Sequence, residues 1–163
     1  MSNPGMNDKI LNTMLNIAEQ YFKSESDPNQ IPITRESIYK IQKLHPKTVI
    51  CRLENGEPIS WVTVLPTQIE LMEKFLIGEI NERELLNLTK VRDSYEALYL
   101  CSAFTVPKHR GQGLAVKMFL EAIDAIPHAK NVQLFAWLFS QEGGKVIEKL
   151  NQILGMKILI KER

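Results

Sequence analysis

The residues from Pro107 to Ala115 are the part of the sequence whose types and spacing are best suited to binding a ligand. They read Pro-Lys-His-Arg-Gly-Gln-Gly-Leu-Ala and join an uncharged run, typical of a buried strand, to an apolar helical pattern. Glycine lets a ligand approach the backbone closely, and the first turn of a helix presents unpaired N–H groups that attract phosphate oxygens. Lys108, His109 and Arg110 add cationic character. The segment therefore predicts a diphosphate-binding loop.

Two named phosphate motifs do not fit this loop. A P-loop requires Gly-Lys followed by Ser or Thr, but Lys117 is neither preceded by glycine nor followed by a hydroxyl residue. A dinucleotide fingerprint requires a third glycine where Val116 stands, and only about 50 residues remain to complete that fold. The glycines by themselves do not decide the question. The loop can also be a simple connector between strand and helix whose basic side chains are exposed to solvent.

A third pattern does fit. Residues 110–115, Arg-Gly-Gln-Gly-Leu-Ala, resemble the R/Q-x-x-G-x-G/A signature of the GNAT superfamily of acyl-CoA-dependent N-acyltransferases. That family places the signature after its fourth strand, with a proline three residues before the arginine, as Pro107 stands here. Residues 150–156, Leu-Asn-Gln-Ile-Leu-Gly-Met, look like the family's L-Y-E-K-L-G-F segment at the end of its fourth helix. The resemblance covers roughly residues 97–161.

The resemblance implies an α/β (α+β) fold in which helices flank a central twisted mixed sheet. The family's fourth and fifth strands splay apart, and here they correspond to residues 97–106 and 132–139. The implied co-substrate is acetyl-CoA, whose pantetheine would lie in the gap, bonded to backbone groups of Phe104, Thr105 and Val106. The pyrophosphate would be held beside Arg110 by the amides of Gly111, Gln112, Gly113, Leu114 and Ala115.

The implied activity is transfer of an acetyl group from acetyl-CoA to a primary amine that attacks the thioester directly. The acceptor is expected to be a small-molecule or peptide amine. In many members a tyrosine on the fourth helix protonates the departing thiolate, but here that position is Asn151, which can donate a hydrogen bond but not a proton. Glu96 stands where some members carry a general base, although an exposed glutamate at a strand start is the simpler interpretation. Both are weak catalytic candidates.

Hydrophobic periodicity predicts the elements around this loop. Helices are expected at residues 8–23, from Thr34 to Leu44, and at 68–77, 82–89, 113–126 and 142–154. Strands are expected at residues 48–53 and 59–65, joined by an Asn-Gly turn, and at 97–106, 132–139 and 156–161. Capping boxes are expected at Thr67 with Glu70 and at Asn81 with Glu84. The uncharged run at 97–106 predicts a strand buried on both faces.

Three departures from the family concern the outline of the domain. A helical insert at about residues 67–90 can pack on the domain, line an acceptor pocket or meet a partner. No clear strand is expected before the first helix, and the family's seventh strand is expected to be missing. An uncovered sheet edge invites pairing with another chain, so a homodimer is expected.

Length, charge and composition limit the kinds of protein that this sequence can encode. A chain of 163 residues suggests a single domain, residues 1–163, and its net charge of +1 gives no support for nucleic acid or an acidic membrane surface as a partner. The sequence contains no secretory signal pattern and no uncharged apolar run near the ~18 residues of a membrane span. Cys51 and Cys101 are expected to be buried free thiols. We therefore expect a soluble cytoplasmic protein with no metal site.

An alternative from another class remains open on the sequence. A noncatalytic acyl-CoA-binding regulatory module could keep the cofactor site while lacking the catalytic acid, and Asn151 is compatible with it. A nucleotide-binding domain using the same glycine loop is a more remote hypothesis. Preference for CoA over ATP or NAD separates that hypothesis from the other two.

Overall fold

The protein, seen in a computed structural model that describes residues 7–22, 29–126, 132–138 and 141–161, is built on a mixed sheet flanked by helices. The helices are α1 (Asp8–Phe22), α2 (Arg35–Gln42), α3 (Ile69–Leu76), α4 (Glu82–Leu88), α5 (Leu114–Ala125) and α6 (Gln141–Leu154). The strands are β1 (Val49–Glu54), β2 (Glu57–Thr67), β3 (Ala97–Thr105), β4 (Gln133–Trp137) and β5 (Leu159–Lys161). The predicted end of β4 at Phe139 lies outside the described residues.

The strands lie in the sheet in chain order, β1-β2-β3-β4-β5. The first three pair antiparallel, whereas β3 with β4 and β4 with β5 pair parallel, and α5 and α6 make the crossovers. The turn between β1 and β2 consists of Asn55 and Gly56, both with positive φ, 53° and 80°. That conformation favours Asn-Gly because its backbone twist matches the twist of the two strands, and the predicted hairpin is confirmed.

The helices divide between the two faces of the sheet. On the first face, α1 to α4 bury a cluster that includes Leu11, Ile41, Phe75 and Tyr99. On the second face, α5 and α6 bury a cluster that includes Met118 and Leu150. Neighbouring strand residues alternate between the faces, as period-two geometry requires: Tyr99 and Phe135 belong to the first cluster and Leu98 and Leu134 to the second.

Several predicted element boundaries are present. Thr34 caps α2 by accepting the Ser37 N–H, and Asn81 forms the expected reciprocal capping box with Glu84. Gly155 ends α6 with a φ of 64°, the left-handed conformation that favours glycine after a helix.

Two predictions about local structure are wrong. Thr67 does not cap α3, because β2 continues to Thr67 and its buried hydroxyl lies 2.6 Å from the Thr89 hydroxyl. The N-cap residue is Gln68, which makes no capping bond with its side chain. The strand expected to be buried on both faces is continuously buried only from Ala97 to Leu100, whereas Ser102 and Ala103 are exposed and Phe104 is buried again. The reason is that β4 no longer lies beside β3 there.

The predicted insert forms α3 and α4, which pack on the first face of the sheet. Phe75 from α3 meets the rings of Tyr99, Phe135 and Trp137 at centroid distances of 5.0, 5.9 and 6.1 Å. Leu85 of α4 is fully buried in the same cluster. Burial of one such ring contributes about 1.5–3 kcal/mol to folding, so these contacts fix the insert against β3 and β4.

Candidate functional site

A gap opens in the middle of the sheet because β3 and β4 pair over only three residues each. Ala97 to Tyr99 pair with Gln133 to Phe135, after which β3 continues to Thr105 and β4 pairs with β5 alone. The register between β2 and β3 also shifts at this point, since Thr63 faces Ser102 and Val64 faces Leu100. Cys101 is therefore the extra residue of a β-bulge, which bends β3 where the gap begins.

Near the end of β3, backbone groups of the strand face this gap. Val106 donates its N–H to the Ile59 carbonyl at 2.9 Å, across β2. Because backbone groups alternate in an antiparallel ladder, those of Thr105 point away from β2 and toward the gap. The Phe104 carbonyl also accepts a hydrogen bond from the Ser60 hydroxyl at 2.9 Å. Of the three residues predicted to bind pantetheine, Thr105 thus has the orientation required, whereas Phe104 and Val106 are engaged with β2.

The glycine loop leads from this end of β3 into α5. A 3-10 turn at Pro107–His109 is followed by Gly111 and Gly113, whose φ angles are 83° and 73°. Both glycines and Gln112 are exposed, and Gly113 is the N-cap of α5. The first backbone bond of the helix runs from the Lys117 N–H to the Gly113 carbonyl at 3.1 Å. The preceding amides therefore form the start of the helix and point outward, where an anion is favoured.

Positive φ explains why glycine stands at Gly111 and Gly113. No heavy atom lies within 4 Å of a Cβ built at either position, so a side chain would meet open space there. An L residue would be strained in that conformation by about 1–2 kcal/mol. Both glycines thus face open space next to the donors at the start of α5. The loop residues thus fit the group that the sequence predicts.

The cationic side chains of the loop are partly engaged with the protein. His109 Nε2 lies 3.2 Å from Glu54 Oε1 at the end of β1. Arg110 donates from Nε to the Thr105 carbonyl at 2.9 Å, and its guanidinium lies 5.8 Å from the centroid of the Phe104 ring. Lys108 is exposed. Arg110 is also exposed, and its bond to Thr105 fastens the loop to the end of β3.

The two weak catalytic candidates have structural partners. Asn151 Oδ1 accepts the Ile158 N–H at 3.0 Å and so orders the turn between α6 and β5. Glu96 is exposed, and its Oε1 accepts the Ile69 N–H at 3.2 Å, next to the start of α3. Glu96 comes directly before Ala97, at the end of β3 where the strand is still paired with β4. It lies about 20 Å along the strand from Ser102. This position is far from the gap, so the geometry does not favour Glu96 as a general base.

A cavity of about 230 Å³ lies on the first face of the sheet, beside the gap. It is bounded by the insert and by the carboxyl ends of β4 and β5, and its lining includes Asn29, Phe75, Asn81, Glu82, Trp137 and Lys161. Trp137 and Lys161 are paired residues at the ends of their strands. The Lys161 ammonium lies 5.3 Å from the Trp137 ring centroid and 5.7 Å from that of Phe75, within the range of cation–π attraction.

Glu82 is the charged residue at the inner wall of this cavity. It is only 4% exposed, and its Oε1 accepts the Ile31 N–H at 2.6 Å. Its Oε2 accepts the Tyr99 hydroxyl at 2.6 Å and lies 3.9 Å from Cys101 Sγ. Burial, and then the charge of Glu82, raise the pKa of Tyr99 well above its usual value, and the same two causes raise the pKa of Cys101. Tyr99 and Cys101 therefore stay protonated and can donate to the carboxylate.

The sequence reasoning missed Glu82, Trp137 and Lys161 as site residues. Glu82 was predicted only as the first residue of a helix, but it lies three and four positions before Leu85 and Leu86, on the apolar face of α4. An acidic residue on the helix face that packs against the core is the signal that could have identified Glu82 as a site residue. Lys161 carried no signal, because its role depends on the parallel pairing of β5 with β4.

The part of the chain that the structure describes offers neither a metal-binding cluster nor a membrane-spanning helix. No group of three or more His, Cys, Asp or Glu side chains is placed there to hold a metal ion. None of the described helices is both long and apolar enough to cross a membrane.

Comparison with known proteins places this geometry in a fold family. No family model matches the chain, and no curated protein matches it. Among solved structures, it is similar to a GNAT-like decarboxylase, GphF in complex with isobutyryl-CoA, with a TM-score of 0.57 and 12% identity over 78% of this chain. The chain spans 60% of that decarboxylase, less than two thirds of its length.

Two acetyltransferase structures are also similar. The polyamine N-acetyltransferase of Drosophila melanogaster gives a TM-score of 0.54 at 12% identity, over 90% of this chain and 79% of that enzyme. The aminoglycoside N-acetyltransferase AAC(6')-Iy in complex with CoA gives 0.51 at 14% identity, over 94% of this chain and 86% of that enzyme. The predicted fold is thus confirmed: the chain has the GNAT fold, a mixed sheet flanked by helices.

Proposed function

We propose that this chain, which has the GNAT fold, is an N-acetyltransferase that moves an acetyl group from acetyl-CoA to a primary amine. The observation that carries the proposal is that the gap between β3 and β4 opens at the same end of the sheet as the glycine loop. A molecule with a diphosphate at one end and a thioester at the other would bind the start of α5 and extend along β3. CoA has this shape.

In this proposal the cofactor is held mainly by backbone groups. The amides from Gly111 to Ala115 bind the pyrophosphate at the positive end of α5. Arg110 donates to the Thr105 carbonyl and so holds the loop against β3, and the outward-facing N–H of Thr105 would bind the pantetheine arm. Bound acetyl-CoA supplies an activated acyl group, and the protein positions it. The thioester then lies near the bulge at Cys101.

The reaction proposed is direct attack by the acceptor. The amine nitrogen forms a bond to the thioester carbonyl carbon, the carbon–sulfur bond breaks, and CoA leaves as a thiolate that takes up a proton. The neutral amine loses one proton as the amide forms and keeps the other as the amide N–H, and the proton lost balances the one that the thiolate takes up. Holding the two reactants in contact removes an entropic barrier of about 7–11 kcal/mol in the most favourable cases, so positioning supplies much of the rate.

Calorimetry and a thiol-release assay test the proposal. The purified protein is titrated with acetyl-CoA, CoA, ATP and NAD, and acetyl-CoA is then incubated with a panel of amines. Binding of CoA in preference to ATP and NAD, with thiol release for at least one amine, is the expected result. Absence of CoA binding would overturn the proposal.

The alternative hypothesis, a noncatalytic acyl-CoA-binding module, predicts a different result in the same assays. Such a module binds CoA but releases no thiol with any amine. The buried Glu82 and the cavity beside the gap favour the enzyme, because a module that only binds CoA needs no acceptor site.

We also propose that the protein forms a homodimer, because the outer edge of β5 is open in the described sheet and could pair with a second copy.

A further inference from the structure

The cavity on the first face adjoins the place where the thioester would lie. Cys101, at the bulge where β3 leaves β4, lies 3.9 Å by its Sγ from Glu82 Oε2, and Glu82 lines the cavity. The cavity is also lined by Trp137, the last residue of β4. A molecule in the cavity is therefore next to the gap and on the insert side of the sheet.

The cavity has one negative and one positive side chain in its wall. Glu82 is held in place by the Ile31 amide and the Tyr99 hydroxyl, so its carboxylate has a fixed orientation. Lys161 is half-buried, and its ammonium is held over the faces of the Phe75 and Trp137 rings. Fixed, partly desolvated charges bind an opposite charge better than mobile side chains at the surface do, because less conformational entropy is lost.

The size of the cavity restricts the ligand. Pockets that enclose drug-sized molecules have volumes of about 300–1,000 Å³. The cavity here, at about 230 Å³, fits a molecule of metabolite size and is too small for an oligosaccharide.

We propose that the acceptor of the transfer reaction is a free amino acid or a close analogue, with its ammonium toward Glu82 and its carboxylate toward Lys161. This inference rests on the proposed acetyltransferase function. Phe75, Ile80 and Trp137 form the apolar part of the wall and would contact the carbon skeleton. A polyamine or an aminoglycoside carries no carboxylate for Lys161, and each would place additional positive charge beside it.

Glu82 also has a chemical role in this proposal. An amino acid enters with its nitrogen protonated, and a protonated nitrogen cannot attack a thioester. The Glu82 carboxylate accepts one proton from the ammonium and passes it to solvent, and the second proton lost on amide formation goes to the CoA thiolate. The products are an N-acetylated amino acid, free CoA thiol and one proton in solution.

The experiment compares each amino acid with the amine that lacks its carboxylate. Acetyl transfer is followed by thiol release with the wild type, Lys161→Met and the control Lys157→Met, whose exposed lysine does not line the cavity. We expect Lys161→Met to raise KM for the amino acid roughly 10- to 100-fold, as loss of a charged hydrogen bond does, and to leave KM for the matching amine unchanged. Lys157→Met should change neither.

A second variant tests the ammonium side. Glu82→Gln keeps the shape of the side chain and should lower kcat for every acceptor, with the loss reduced at high pH, where more of the free amine is already deprotonated. Because Glu82 is buried and this variant could lose stability, its folding is checked by thermal unfolding, and the Lys161→Met result stands independently of it.

Direct binding separates failure of this inference from failure of the proposed function. Amino acid pools are mixed with the protein, with and without CoA, and binding is observed by saturation-transfer NMR, while CoA binding is measured by calorimetry. CoA binding without binding of any amino acid would overturn the acceptor assignment and leave the acetyltransferase proposal in place. Equal use of amino acid and matching amine, unaffected by Lys161→Met, would also overturn the assignment. Loss of CoA binding would instead refute the proposed function.

Discussion

Substitution of Gly113 by glutamate tests the placement of the pyrophosphate, and its matched control is Gly113→Gln. Gly113 has a φ of 73°, and no heavy atom lies within 4 Å of a Cβ built on it. Both substitutions thus introduce the same backbone strain, about 1–2 kcal/mol, without a steric clash. The comparison of the two variants isolates the effect of one negative charge.

That charge has opposite effects in the free and the CoA-bound protein. In the free protein the positive end of α5 stabilises the glutamate by about 0.3–1 kcal/mol, so Gly113→Glu should unfold at the same temperature as Gly113→Gln or higher. In the complex, one unit charge at ~6–8 Å from a phosphate charge is repelled by about 2–3 kcal/mol at an effective dielectric constant of ~20. This energy corresponds to CoA binding about 30- to 100-fold weaker than in the glutamine variant.

Calorimetry with CoA at two salt concentrations, together with thermal unfolding of both variants, measures these effects. The difference in affinity should shrink from low salt to ~1 M salt, where the Debye length falls to about 3 Å. Equal CoA affinity of the glutamate and glutamine variants at low salt would refute the placement of the pyrophosphate at Gly113. Lower thermal stability of the glutamate variant would refute the proposed orientation of the helix dipole toward that position.

Three further predictions concern the folded structure. Asn81→Ala removes the capping box of α4 and should cost about 1 kcal/mol, lowering Tm by about 2–4 °C, whereas Gln152→Ala at an exposed position of α6 should shift Tm little. Burial raises the pKa of Cys51 to about 12 despite the nearby charge of Arg52, so the unfolded thiol, which ionises near pH 9.0, loses its proton first. The free energy of unfolding should therefore fall as the pH rises from 9.0 to about 12, and Cys51→Ala should reduce that slope. Light scattering should give twice the chain mass of 18.7 kDa if the open edge of β5 pairs with a second copy, and a monomer mass would contradict the dimer.

The order and type of the elements could be predicted from the sequence because local signals agree with the tertiary structure. The periodicity of α1, the Asn-Gly turn and the capping box at Asn81 each specify an element through interactions only a few residues apart in sequence. The glycine loop was recognisable for the same reason, since its two positive φ angles are required locally. These features fix where the cofactor loop lies in the fold.

Features that depend on contacts between distant residues could not be predicted in the same way. The exposure of Ser102 follows from the divergence of β4, which begins more than 30 positions later in the chain. The cavity joins Glu82 of the insert to Lys161 of β5, and no local pattern connects the two. Thr67 illustrates the same limit, because its hydroxyl bonds to Thr89 and not to the helix that follows it.

The three-residue pairing of β3 with β4 also affects how the protein opens. The antiparallel part of the sheet, β1 to β3, is paired along most of each strand, whereas the pairing between β3 and β4 joins only Ala97–Tyr99 to 133–135. A short ladder has few bonds to break, so we expect rare opening events to separate the sheet along this line before either part unfolds. In native-state hydrogen exchange the amides of β4 and β5 should lose protection together, at a lower free energy than those of β2.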